Sequence, residues 1–144
     1  MPTQASAYAQ LAFLNSLFGK TSTFGALASA PTIYVALCTA APTNSSTGAT
    51  IAEATYTGYA RKSTAAADWN AASGSNPATT TNANAITFAA CTGGTSAVTH
   101  FALVDNTTTG AGNMILWGAL GATLNVANLL TPQFAAGQLS TTCD

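Results

Sequence analysis

The stretch "THFALVDNTTTGAGNMILWGAL", Thr99–Leu120, decides how the chain is read. Its first part alternates. Val98, His100, Ala102 and Val104 fall on one side of an extended chain, and Thr99, Phe101, Leu103 and Asp105 on the other. A turn-rich run, "DNTTTGAGN", follows, and then a second apolar run, "NMILWGAL". Two β-patterned runs around an Asp, Asn and Gly cluster describe two strands and their connection. The same alternation settles a chemical question. His100 is the only histidine, and Asp105 is one of four acids. They point to opposite sides of one strand, whereas an imidazole oriented by a carboxylate needs both on one side. His100 is therefore expected to be a half-buried strand residue with a satisfied ring nitrogen, and Asp105 an acceptor of backbone N–H groups at the head of a turn.

Other strands follow outward from this pair. "TIYVALCT" (32–39), "YARKSTA" (59–65), "AITFAAC" (85–91), "ATLNVA" (122–127) and "FAAGQLSTT" (134–142) are short β-branched or aromatic runs bounded by Gly, Asn, Ser, Thr and Pro. That texture predicts an all-β sandwich or barrel of a single domain, with the β region over about 31–144. Ahead of it, "TQASAYAQLAFLNSLFG" is the one helix candidate, about 4–18. Thr3 or Ser6 would cap its start and Gly19 would end it. Two long connections, "APTNSSTGATIAEATYTG" and "NAASGSNPATTTNAN", show no clear period and read as loops.

Composition bounds the function. Charged residues are 5% of the 144, against about 25% in ordinary soluble domains, and the formal net charge is -1. So neutral a surface gives little repulsion between copies, which suits life inside a larger assembly. Lys20, Arg61 and Lys62 are the only cations. Neutralising nucleic-acid phosphates or docking on an anionic membrane takes more, so neither partner is expected. No apolar run approaches the roughly 20 residues of a membrane span. "ALASA" (26–30) looks like a leader cleavage site, but no positive charge precedes the apolar stretch, and Lys20 follows it.

Catalytic and metal chemistry find no constellation. Cys38, Cys91 and Cys143 are far apart, odd in number and without a C-x-x-C, so free thiols are expected and neither metal nor cofactor. The four acids, Glu53, Asp68, Asp105 and Asp144, fall one per segment rather than as a pair. The glycine turns at 92–94 and 109–112 lack the phosphate-loop pattern. An enzyme is therefore the least favoured reading. Partner contact is the more productive idea. Arg61 and Lys62 in "GYARKS" are the densest charge and either bridge a partner's acids or form a solvated strand rim. Trp69, in "DWNAASG", is either a core anchor or a binding platform, with Tyr56 and Tyr59 beside it in that role. Trp117 reads as core.

The order of segments resembles a group of small tailed-bacteriophage structural proteins of the tail-fibre-like or head-decoration kind. The blocks that carry the resemblance are "AYAQLAFLNSLFG", "TIYVALCTAAPT", "GYARKS", "NAITF", "VTHFALVD", "GNMILWGAL" and "PQFAAGQLSTTCD", and together they span nearly the whole chain. The resemblance implies a jelly-roll-like β-sandwich with no catalytic residues, carried on the virion as an oligomer. The first expectation is a capsid decoration (cement) protein on the capsid exterior. It would bind the assembled major capsid protein and other copies of itself as a dimer or trimer, after assembly in the bacterial host cytoplasm. A tail or tail-fibre component is the alternative. A carbohydrate-binding module using Trp69, Tyr56 and Tyr59 is a further one.

Overall fold

A computed structural model describes residues 6–20, 30–74 and 77–143. The fold is an all-β sandwich with a short N-terminal helix, and every strand ladder is antiparallel. In chain order the elements are α1 (Ala7–Leu17), β1 (Ile33–Cys38), β2 (Lys62–Thr64), a 3₁₀ turn (Ala66–Asp68), β3 (Ala78–Thr81), β4 (Ile86–Thr87), β5 (Ser96–Val104), β6 (Met114–Val126), β7 (Gln133–Phe134) and β8 (Ser140–Cys143). The chain divides into two compact units. One comprises residues 1–31, 65–85 and 135–144, and the other 32–64 and 86–134.

The second unit holds a four-stranded sheet in the order β2-β1-β5-β6. Its centre is β1 paired with β5, two runs read as strands from sequence whose pairing the sequence did not give. Val35 and Leu37 lie opposite Leu103 and Phe101 on one face, and Ala36 and Cys38 lie opposite Ala102 and His100 on the other. Both faces of β1 and of the Phe101–Val104 half of β5 are largely buried. On the second face Ile51 and Val104 join Ala36, Cys38 and Ala102, with Tyr34 and Met114 packed against them. Small residues at that face leave room for the loop that carries Ile51. On the first face Phe101 lies across Gly118 of β6, its cross-strand partner. A Cβ at Gly118 would stand 2.8 Å from the Phe101 ring, so only glycine lets the ring lie there. β4 and β7 form a separate short ladder, closed by the edge-to-face rings of Phe88 and Phe134.

In the first unit α1 is capped by Ser6, whose hydroxyl accepts the Ala9 N–H, and it ends at Gly19 with φ +67. The Lys20 N–H reaches back to the Asn15 carbonyl, which satisfies the last turn. The expected start at residues 4–5, the Thr3 cap and most of "ALASA" lie outside the described residues. Phe18 stacks on Trp69 with centroids 4.4 Å apart. β3 pairs with β8.

Four expectations are corrected. The runs 113–120 and 122–127 are one strand, β6, because Gly121 continues the extended backbone instead of breaking it. "FAAGQLSTT" is two short strands, because Gly137 at φ +80 and the Gln138 side chain, which accepts the Ala135 N–H, turn the chain between them. "AITFAAC" is extended in a ladder only at Ile86–Thr87. "NAASGSNPATTTNAN" contains β3, whose Ala78 and Thr80 are buried.

Candidate interaction surfaces

Arg61 is the most heavily bonded side chain described. It follows Tyr59 at the entrance to β2, and its guanidinium turns inward. Nε donates to both Glu53 carboxylate oxygens, at 3.2 and 3.1 Å. One terminal nitrogen donates to the Asn106 and Ala111 carbonyls at 2.7 and 2.8 Å, and the other to the Gly48 carbonyl and Glu53 Oε1 at 2.7 and 2.6 Å. All five N–H donors of the planar fork are thus used. Both side chains of the ion pair are buried. The Tyr59 hydroxyl donates to Glu53 Oε2 at 2.6 Å and accepts the Leu37 N–H at 3.1 Å, which ties the cluster to β1. Burial, then the bond to Glu53, pushes the Tyr59 phenol well above its ordinary range. Burial also raises the Tyr56 phenol, whose ring meets Tyr59 edge-on at 5.6 Å.

This cluster explains how two loops with a single acid each, Glu53 and Asp105, hold one shape. Gly48 belongs to the 39–54 connection, and Asn106 and Ala111 to the β5–β6 connection. One guanidinium binds carbonyls from both, and the Gly48 N–H donates to the Gly112 carbonyl at 2.9 Å. A Cβ at Gly48 would collide with the Ala111 carbonyl oxygen, so the approach requires glycine.

The residues singled out from sequence therefore lie as follows. Arg61, Tyr56 and Trp69 are buried, Tyr59 is half-buried, and Lys62 is exposed. Arg61, Tyr59 and Tyr56 come together around Glu53 within the second unit. Trp69 packs on Phe18 in the first. Arg61 spends its charge inside the fold, whereas Lys62 is exposed on β2. His100 and Asp105 do not meet. His100 Nδ1 bonds the Thr99 hydroxyl at 2.8 Å, and its ring lies 6.0 Å from Trp117. Asp105 accepts from the Asn113 side chain and N–H, which holds its carboxyl below the usual range. Cys38 and Cys91 are buried free thiols.

Several large apolar side chains lie exposed. Trp117, expected in the core, is 38% exposed on β6, and Leu129, just past that strand, is 85% exposed with φ 71. Tyr8 and Phe13 are exposed on α1. Alternation marks β6 as strand but not as an edge, because an edge strand and a central strand share one pattern.

Functional groups turned inward to brace loops, with apolar groups left outside, describe a structural building block. The comparison with protein families agrees. A family model described as podophage GP4 fiber I protein gp80 matches residues 4–142, and the chain belongs to that family. It is a phage virion structural protein, as the resemblance implied, and works in association with other virion proteins. No curated protein matches it.

Proposed function

We propose that the chain is a non-enzymatic component of a phage tail fibre. The observation that carries this reading is the family match over residues 4–142, whose description names a fibre protein. That description favours the tail-fibre alternative over the capsid-decoration reading. The low charge that suggested a cement protein suits any crowded assembly equally. The architecture supports a load-bearing part. A buried ion pair and its five-donor fork fix the loops around a sheet whose central strands are largely covered on both faces. Such a module transmits contacts between neighbours without rearranging.

Location on the particle tests the reading. Gold-labelled antibody against the chain, or a reconstruction of the virion, is expected to place it on the tail. Density repeating over the head shell overturns the fibre reading in favour of capsid decoration.

A further inference from the structure

We infer that Leu129 is a preformed apolar peg that seats in an uncharged socket on a different protein of the virion. The inference rests on the virion role of the chain and not on whether that role is in the tail. Two observations meet at this residue. Leu129 is 85% exposed, the most exposed of the large apolar side chains described. Its backbone also stands at φ 71, in the left-handed region where a Cβ crowds the following carbonyl. Every other described residue at positive φ is a glycine. Leucine therefore gains the fold nothing by burial and strains its backbone as well.

Nothing in the turn calls for that side chain. Main-chain bonds set the loop. The Leu129 N–H donates to the Cys91 carbonyl and the Cys91 N–H to the Leu130 carbonyl, both at 2.8 Å. The Leu130 N–H closes onto the Ala127 carbonyl at 3.0 Å. Glycine would make all three bonds without strain. Farther along, the Phe88 N–H holds the Pro132 carbonyl at 2.9 Å, and Cys91 itself is fully buried. The loop is thus anchored on both sides of the peg. Strain of this kind persists where the surroundings over-determine it, and it gathers at sites that bind. A side chain the fold does not use, held out on a braced loop, meets a partner with little ordering left to do.

The occupant follows from charge and size. No charged residue occurs between Asp105 and Asp144, and Leu129 is flanked by Ala127, Asn128, Leu130 and Thr131. The socket therefore has an apolar floor and an uncharged rim, because an unpaired charge buried there would oppose seating. Leu129 with the exposed Leu130 covers far less than the roughly 800 Å² per partner of a standard interface. A contact so small does not hold two free copies together. It works inside a particle, where other contacts already keep the partners close. A virion structural protein has such partners beside it. The peg then fixes orientation more than it supplies strength.

Complementation tests this. Phage with a disrupted gene for the chain are grown in cells that supply it in trans, and copies per particle are counted by quantitative mass spectrometry. Leu129→Gly and Leu129→Asn keep the turn and remove the apolar peg. They are expected to lower incorporation at least about tenfold, while Leu129→Met stays within about twofold of the natural chain. Thermal unfolding of each purified chain is read alongside. Leu129→Gly is expected to lose incorporation without losing Tm, a split that a leucine needed only for folding would not show. Sedimentation velocity of the natural chain and of Leu129→Gly is expected to agree. Normal incorporation of Leu129→Gly and Leu129→Asn, a loss matched by a fall in Tm, or an equal loss with Leu129→Met overturns the peg. A change in oligomeric state assigns Leu129 to a contact between copies and overturns the partner. Variants lost from particles that carry the natural chain on the head shell keep the peg and sink the fibre reading. Variants retained normally on the tail do the reverse.

Discussion

The two units achieve order by different means. The unit of residues 32–64 and 86–134 relies on a long ladder and one buried ion pair, with Arg61 holding Glu53 and three loop carbonyls. The other unit uses carboxamides. Gln10, 1% exposed, accepts the Ala78 N–H and ties α1 to β3. Asn15 accepts the Ala72 N–H. Asn82 is fully buried; its amide donates to the Asn84 and Ala135 carbonyls and its oxygen accepts the Leu139 N–H, each at 2.8 Å. A carboxamide is both donor and acceptor and is far less costly to desolvate than an ion. A chain with 5% charge can thus pin irregular backbone almost anywhere. It reserves its buried ions for the place where several carbonyls converge.

Substitutions test that contrast. The largest effect is expected at Arg61. Arg61→Ala leaves the buried Glu53 carboxylate without its counter-ion and three carbonyls without their Arg61 donor, and should destabilise by about 3–5 kcal/mol in urea unfolding. Arg61→Lys should recover less than half, because three donors on a flexible stem cannot replace a five-donor fork. A loss below about 1 kcal/mol for Arg61→Ala would mean the loops are ordered without it. Asn82→Ala is next, at about 2–3 kcal/mol, since it leaves buried backbone groups unpaired. An effect equal to that of Arg61→Ala would erase the distinction between the two units. The smallest effect has the opposite sign. Leu129→Gly relieves a left-handed backbone at a side chain that packs on little, and should raise stability by about 0.5 kcal/mol, read as a small rise in Tm.

Much of the second unit was legible in the sequence. The period of two over Val98 to Asp105 and Ile33 to Cys38 marked both as strands, but their pairing with each other left no mark in the sequence. The Ser6 cap and the Gly19 stop wrote the helix ends. β3 was hidden because "ATTT" carries polar threonines, and burial of Ala78 and Thr80 depends on partners far along the chain. The inward role of Arg61 is hidden for a related reason. Its partners at Gly48, Asn106 and Ala111 are main-chain carbonyls, which leave no mark in the side-chain sequence. One clue was present. Glu53 and Arg61 are opposite charges eight residues apart in a chain nearly without charge.

The neighbourhood of Cys38 has a chemical consequence of its own. Thiols oxidise and exchange as thiolates, and burial, followed by the nearby Glu53 charge, pushes this one up to about 12. At pH 7 the reactive form is then about one molecule in 10⁵. Lying wholly inside the sheet, the sulfur is also out of reach of dissolved oxidants. The protein can age in air without a disulfide to protect it and without forming one by accident at its centre.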